Sequence, residues 1–308
     1  MNKNCDDLNP FSGALFDVEH ALNIYATSYS TFAAEALYNE QFLKTISQAD
    51  RAFHIYLIGF SPKIEIDNPR FENSSLTLTV SCIGKKSELI FDIPQEFKFI
   101  QTKDQCYLED QDGQPRWPNQ EHIIQKLSDA VDGLPFHVKY IGQSYGEDGS
   151  RDALDRLLKH ETLQKIAIKG IPDDQVLQVI LLELLPANRV LTAFLPNAEN
   201  RDDDETRRQN GVDKLFDTTE AERISLYEAS LIRYFSPEFN KEFKNSFPST
   251  HLKILQDCYK KDFLAVTAEI NFDNFPFRLF SEKVPKSYYH IITHDLQNQE
   301  NRRMFFVM

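Results

Sequence analysis

The sequence predicts an α+β fold, because two different periods of apolar residues alternate along the chain. Between residues 53 and 108 the period is two, and strands are predicted at 54–60, 76–83, 88–93 and 97–100. Residues 13–48 and 120–133 instead show the spacing of amphipathic helices. Beyond residue 240 the pattern predicts a helix at 249–261 and strands at 263–271, 276–280, 288–293 and 303–308.

The length and composition set limits on domains and location. With 308 residues, 41% of them hydrophobic, the chain can form one large domain or two ordinary ones. The segment GQPRWP at 113–118 has the composition of a linker, so we expect a helical and β-rich domain at 1–118 and a second domain at 119–308. No apolar run approaches the ~20 residues of a membrane helix and no signal-peptide pattern opens the chain, which predicts a cytoplasmic protein without membrane contact. Four widely spaced cysteines indicate reduced thiols rather than disulfides or a zinc site.

A predicted helix at 222–235 carries a carboxylate on its apolar side. Glu228 lies on the apolar stripe, whose other members are Ile224, Leu231, Ile232 and Phe235. A carboxylate on a buried face is costly unless a cation, a metal ion or hydrogen-bond donors meet it, so Glu228 predicts a strong partner or a wet cavity. Ser236-Pro237 ends the helix. Asn240 then follows, either as a functional residue or as a cap of the turn.

A second cluster of chemically useful side chains lies at 138–166. A short predicted strand ends in Tyr140-Ile141-Gly142, and a polar loop leads from it to a helix with Ser150 at its N-cap. Arg156 and His160 are four residues apart and therefore project from one face of that helix. Together the two segments supply tyrosine, arginine, histidine, glutamate and asparagine, a set able to cleave a phosphodiester bond.

These segments resemble the GIY-YIG endonucleases. The resemblance rests on four elements in the family's order, which are Tyr140-Ile141-Gly142, Arg156 with His160, Glu228 in an E-x-x-L-I helix, and Pro237-x-x-Asn240. It covers residues 135–245. It implies a small sheet flanked by helices, followed by a C-terminal α/β extension, and a nuclease that hydrolyses nucleic acid, with DNA favoured over RNA.

The resemblance also implies roles for the site residues. Glu228 would bind Mg²⁺ or Mn²⁺, hard cations that prefer oxygen ligands. Arg156 would stabilise the charge that develops on the phosphate, and Tyr140 or His160 would orient or deprotonate the attacking water. Asn240 would position Glu228 or the phosphate. Substrate contacts are expected from Lys139, Gln143, Arg151 and Lys159.

The chain departs from the family pattern in two places. No GIY tripeptide precedes the YIG strand, and the substitutes for its tyrosine are Tyr56 or Tyr107, each of which requires a long insertion. The separation of Arg156 from Glu228 is also long. Part of it is the segment 197–221, whose mixed charge predicts a mobile loop, with 197–212 weakly ordered and tolerant of deletion.

Other functions remain open at the level of sequence. The net charge of −13 argues against general coating of nucleic acid, although a nuclease can concentrate its basic groups around one cleft. The alternative to an enzyme is a catalytically inactive GIY-YIG-like scaffold that binds nucleic acid or a protein. In a third arrangement, residues 1–118 dock a partner and gate the nuclease, as would suit restriction or anti-phage defence. His290 and His294 have the spacing of metal ligands, but a strand should keep them from converging.

Overall fold

The computed structural model describes residues 14–47, 52–102, 105–143, 157, 161–203, 205–248 and 251–297. In this part of the chain the helices are α1 (Glu40–Ser47), α2 (Gln120–Val131), α3 (Glu161–Lys169), α4 (Thr206–Phe216), α5 (Glu220–Phe235) and α6 (Lys253–Lys260), with a 3₁₀ helix at Ala34–Tyr38. The first seven strands are β1 (Val18–Ala33), β2 (Phe53–Pro62), β3 (Glu65–Glu72), β4 (Ser75–Cys82), β5 (Lys85–Asp92), β6 (Lys98–Gln101) and β7 (Cys106–Glu109). The remaining strands are β8 (Pro115–Arg116), β9 (Leu134–Gln143), β10 (Gln175–Leu184), β11 (Arg189–Phe194), β12 (Ala265–Ile270), β13 (Phe277–Phe280) and β14 (His290–Asp295).

One large sheet organises the molecule. Its strand order is β13-β9-β2-β10-β1-β12-β14, and β11 pairs with β1 as an eighth strand. Two three-stranded sheets, β3-β4-β5 and β6-β7-β8, complete the β structure of the described residues. The predicted α+β class is confirmed, but the main sheet is large and not the small sheet that the resemblance implies.

The main sheet combines strands from both sides of the predicted linker. β1 and β2 precede residue 118, yet they pair with β9, β10 and β12, which follow it. The two small sheets and α2 lie in the sequence between β2 and β9, as one insertion in the large sheet. The predicted division into residues 1–118 and 119–308 therefore does not separate two independent sheets.

The N-terminal segment corrects the sequence prediction most clearly. Residues 18–33 form the sixteen-residue strand β1, whereas a helix was expected over 13–48. The first seven residues of β1 are all buried, so they lack the alternation that marks a half-exposed strand. Alanine-rich composition favours a helix locally, but pairing with strands on both sides prevails. Helical structure is confined here to the 3₁₀ helix and α1.

Residues 205–216 provide a second correction. The segment expected to be a mobile loop contains α4, which packs against β1. Arg207 donates hydrogen bonds to Glu19 and Asp262, and Lys214 pairs with Asp257 at 2.7 Å. Because these charges are paired and partly buried rather than solvated, ordering the segment stabilises the fold instead of costing only entropy.

The other predicted elements are mostly confirmed. The helices at 120–133, 222–235 and 249–261 correspond to α2, α5 and α6. The predicted strands correspond to β2, β4, β5, β6, β12, β13 and β14, and the segment 303–308 lies outside the described residues. None of the helices in the described part of the chain is both long and apolar enough to span a bilayer.

The two faces of the sheet around β2 and β9 pack against different helices. On one face, Tyr56 and Tyr140 share a hydrophobic cluster with Leu157 and with Leu163 and Ile166 of α3. On the other, Ile55, Leu57 and Ile141 pack in the main core with Tyr227, Leu231 and Phe235 of α5. We call the first of these the tyrosine face.

Candidate functional site

The YIG tripeptide lies on β9, next to the strand that carries Tyr56. β2 pairs with β9 in antiparallel orientation, with Tyr56 opposite Gly142 and Ile58 opposite Tyr140. The Tyr56 and Tyr140 ring centroids are 6.2 Å apart. Tyr107, the other substitute for the missing tyrosine, lies on β7 in a separate sheet. The strand pairing therefore favours Tyr56 as the counterpart of the GIY tyrosine.

Gly142 is required by the closeness of the Tyr56 ring. A Cβ atom at position 142 would lie 2.5 Å from the Tyr56 Cζ and hydroxyl oxygen. This is far inside van der Waals contact, so the glycine lets the phenol of Tyr56 lie across β9. The YIG glycine and the Tyr56 side chain are thus one packing unit.

A β-bulge in β9 determines which side chains reach the tyrosine face. Ile58 pairs with Tyr140, but Gly59 pairs with Val138, so Lys139 is the extra residue. As a result His137 and Tyr140, which regular alternation would place on opposite faces, lie on the same face. The Lys139 ammonium lies 5.8 Å from the centroid of the Phe60 ring, on that face as well.

Asn240 binds the backbone of the YIG strand. Its Oδ1 accepts from the Ile141 N–H at 2.9 Å, and its Nδ2 donates to the Ile141 carbonyl at 2.8 Å. The side chain is buried, and the N–H of Phe239 donates to the carbonyl of Lys139 at 3.1 Å. Asn240 therefore positions β9, and its expected role in positioning Glu228 or the phosphate stays a prediction.

Helix α5 brings Glu228 to the other side of β9. Its apolar stripe is buried as expected, and Glu228 itself is half-buried. Thr219 and Glu222 form a capping box at the start of the helix, and Ser236 in left-handed conformation ends it. One turn before Glu228, the Ser225 hydroxyl donates to Gln143 Oε1 at 3.4 Å, which links α5 to the end of β9.

This arrangement limits where a common site can lie. β13 pairs with β9 only as far as His137, and the turn at 237–240 covers the following stretch of the same edge. Tyr140 is on the tyrosine face, and α5 packs on the opposite face. Tyr140 and the helix that carries Glu228 therefore lie on opposite faces of β9, and α5 is joined to the C-terminal end of the strand through Ser225 and Gln143.

Four of the predicted site residues are not covered by the structure. Arg151, Arg156, Lys159 and His160 lie outside the described residues. Their neighbour Leu157 is helical and fully buried in the cluster that contains Tyr56 and Tyr140. The helix expected to follow the YIG strand thus contacts the tyrosine face at Leu157 and along α3.

The predicted substrate contacts on β9 are already engaged. Lys139 pairs with Glu238 at 3.3 Å, and Lys169 pairs with the same carboxylate. The hydrogen bond from Lys169, with help from Lys139, lowers the pKa of Glu238 below its ordinary value. Gln143 bonds Ser225, as described above. In this structure both residues therefore connect elements around the YIG strand.

His54 is a candidate that the sequence analysis did not identify. It lies two residues before Tyr56 on β2, where the register with β10 shifts, and its Nε2 is 3.4 Å from Glu220 at the start of α5. Burial lowers the pKa of His54, which favours the neutral imidazole of a general base. Its contact with Glu220 joins two segments that are far apart in the sequence, so no local pattern marks this histidine.

Two other features are separate from the β9 edge. His290 and His294 lie on β14 and bind Tyr234 and the Ser230 carbonyl, respectively, so they do not converge on a metal. An apolar groove of about 730 Å³ runs between the 3₁₀ helix and α3, and its lining includes Tyr38, Ile168 and Ile171 but none of the predicted site residues that the structure describes. Within the described residues, no group of three or more His, Cys, Asp or Glu side chains is arranged to hold a metal ion.

Comparison of the chain with protein-family models, with curated proteins and with solved structures finds no match. The resemblance to GIY-YIG endonucleases therefore rests on the residues described above and on their arrangement around β9.

Proposed function

We propose that the chain is a metal-dependent nuclease of the GIY-YIG type, with its site at the edge of β9. The observation that carries this proposal is the gathering of sequence-distant signature elements on one strand. Tyr56 pairs beside the YIG strand across a long insertion, Asn240 binds Ile141, and the helix of Glu228 is tied to Gln143.

The residues present fit a hard divalent cation. Magnesium is commonly held by one or two carboxylates together with substrate phosphates and water, so a single half-buried carboxylate such as Glu228 is a sufficient protein ligand. When bound, the cation would supply Lewis-acid stabilisation of charge on the phosphate. A cluster of three acidic side chains is not required for this chemistry.

The chain's own residues have distinct roles in the proposal. The half-buried Tyr140 phenol orients the attacking water on the tyrosine face. Arg156 and His160 keep the roles that the resemblance implies, charge stabilisation and proton transfer. Tyr56, which is fully buried, and Asn240 act as positioning residues, because they pack on or bind the backbone of the YIG strand.

An inactive scaffold that binds nucleic acid is the second candidate. The complete burial of Tyr56 favours it, because a buried phenol cannot contact a substrate without a rearrangement. The test is incubation of the purified protein with labelled double-stranded and single-stranded DNA and RNA, in Mg²⁺, in Mn²⁺ and in EDTA. The nuclease proposal predicts cleavage that EDTA abolishes, whereas binding without cleavage in either metal would establish the scaffold.

A further inference from the structure

A chain of contacts defines a positively charged surface beside the proposed site. Lys139 and Lys169 pair with Glu238, and the Lys244 ammonium donates to the Glu238 carbonyl at 3.3 Å. On the neighbouring edge strand, the Phe280 ring stacks on His137 at 4.6 Å and lies 5.1 Å from the Lys286 ammonium. We call the basic edge surface the group formed by His137, Lys139, Lys169, Glu238, Lys244, Phe280, Glu282, Lys283 and Lys286.

The charge of this surface is opposite to that of the whole protein. Its five lysines face two carboxylates, Glu238 and Glu282, which leaves three positive charges in a chain of net charge −13. In the described part of the structure, no carboxylate pairs with Lys283 or Lys286, and both are exposed. Burial and the nearby Lys283 lower the pKa of Lys244, as expected where positive groups repel one another. An anion at this place would relieve that repulsion.

The loop that carries the two exposed lysines is held in a fixed shape. Leu279 and Ser287 exchange both backbone hydrogen bonds, at 2.9 and 3.1 Å, and so close the loop at its base. Inside it, the Ser281 hydroxyl accepts from the backbone N–H groups of residues 283 and 284, and Val284 is buried. Lys283 and Lys286 are therefore presented from an ordered support, which reduces the entropy lost on binding a ligand.

The basic edge surface is continuous with the tyrosine face. Phe280 pairs opposite His137 in the sheet, and the bulge at Lys139 places His137 and Tyr140 on one face. A polyanion lying on Lys283 and Lys286 would thus extend along β13 and β9 toward Tyr140. Several lysines near one another, two of them exposed on the loop, suit a chain of phosphates better than a single small anion.

We propose that the basic edge surface binds the sugar-phosphate backbone of the nucleic-acid substrate and leads it from the loop at 281–286 to the site beside Tyr140. The inference rests on the proposed nuclease function for the identity of the polyanion. It assigns to the C-terminal extension the role of substrate binding, which the signature residues alone do not include.

The test compares two double variants that each remove two exposed lysines. Lys283→Ala/Lys286→Ala removes the loop charges, and Lys85→Ala/Lys98→Ala removes two exposed lysines from the separate small sheets. Fluorescence anisotropy with a labelled DNA duplex, in EDTA and over a range of salt, gives affinity without cleavage. We expect the loop variant to bind about tenfold more weakly and to lower the slope of log K against log salt by about 2, since each phosphate contact contributes about 0.9.

The outcomes separate this inference from the nuclease proposal. The loop variant, but not the control variant, should bind more weakly and show a smaller slope of log K against log salt. This result supports substrate binding by the basic edge surface, whether or not the wild type cleaves DNA. If the wild type cleaves DNA but the two double variants bind it equally well, the basic edge surface does not bind the substrate. The nuclease proposal is then still supported. A wild type that neither binds nor cleaves any nucleic acid in the panel overturns both. Unchanged melting temperatures of the variants exclude a folding defect.

Discussion

Glycine at position 142 shows how a single side chain can define the candidate site. The Tyr56 ring occupies the space that any Cβ there would need, and Tyr56 in turn is held between β9 and the cluster around Leu157. This packing explains the glycine of the YIG tripeptide in steric terms, independently of any catalytic role.

Gly142→Ala should destabilise the fold by about 1–3 kcal/mol, because the new methyl group overlaps a ring that cannot easily move. Tyr56→Leu should relieve the overlap, so the double variant Gly142→Ala/Tyr56→Leu should lose less stability than the sum of the two single variants. Urea unfolding of the four proteins measures this. Strict additivity would show that the two side chains do not contact one another.

The two arginines at the start of α4 offer a second comparison between neighbours. Arg207 bonds Glu19, which is 1% exposed, and Asp262, whereas Arg208 lies at the surface and, among the described residues, pairs with Glu205 at 3.6 Å. Arg207→Ala should cost about 3–5 kcal/mol, since it leaves a buried carboxylate without its cation. Arg208→Ala should cost less than ~1 kcal/mol. Equal effects in chemical denaturation would argue that α4 does not pack as described.

β14 is joined to α5 through two histidines, of which His290 is buried and His294 is half-buried. His290 donates to the Ser287 carbonyl and its other ring nitrogen lies 3.2 Å from the Tyr234 hydroxyl, while His294 lies 3.3 Å from the Ser230 carbonyl. Burial lowers the pKa of each histidine from 6.5 to about 4. Both imidazoles are therefore neutral in the folded protein near neutral pH.

These lowered pKa values predict a loss of stability in mild acid. The unfolded chain binds protons first as the pH falls below 6.5, so the free energy of unfolding should decrease between pH 6.5 and 4. The loss should reach about 2 kcal/mol for each histidine near pH 5. His294→Gln should flatten this dependence, measured by urea unfolding across pH, and His122→Gln, at an exposed position, should not. If the free energy of unfolding of His294→Gln depends on pH as steeply as that of the wild type, His294 does not cause the loss of stability.

The elements also show what the sequence could and could not predict. β4 and α2 follow from local periodicity, because each buries one face and leaves the other more exposed. The first half of β1 is buried on both faces, so its residues carry no period that distinguishes a strand from a helix. α4 was missed because its charged residues find partners on β1 and near α6, and such long-range pairing has no local signal.

For the whole molecule, the main sheet is the feature that connects the two halves of the chain. The signature residues and their order were available from sequence, but the choice of Tyr56 over Tyr107 depended on a pairing of β2 with β9 across an insertion of about seventy residues. The basic edge surface also depends on such a pairing, between β13 and β9. The position of Tyr56 and the basic edge surface therefore depend on the topology of the sheet, and no single segment of the sequence predicts them.

This topology predicts the behaviour of fragments. Neither residues 1–118 nor residues 119–308 should fold alone, because β2 would lose β9 and β10, and β1 would lose β10, β11 and β12. Expression of each fragment, followed by circular dichroism and thermal unfolding, checks this. Co-expression should restore a folded complex if the chain tolerates the break after residue 118. A cooperative melting transition for residues 119–308 alone would show that these residues fold as a separate domain.

The measurement that bears most directly on the nuclease proposal is the effect of Glu228→Gln on cleavage and on stability together. If Glu228 holds the metal ion, the variant should keep the melting temperature of the wild type or exceed it, and cleavage in Mg²⁺ or Mn²⁺ should fall by at least ~10²-fold. Glu88→Gln, at an exposed carboxylate on β5, should change neither property. If Glu228 instead has a structural role, its replacement should cost about 3–5 kcal/mol of stability. The nuclease proposal would be contradicted if the wild type cleaves no nucleic acid and Glu228→Gln has a much lower melting temperature than the wild type.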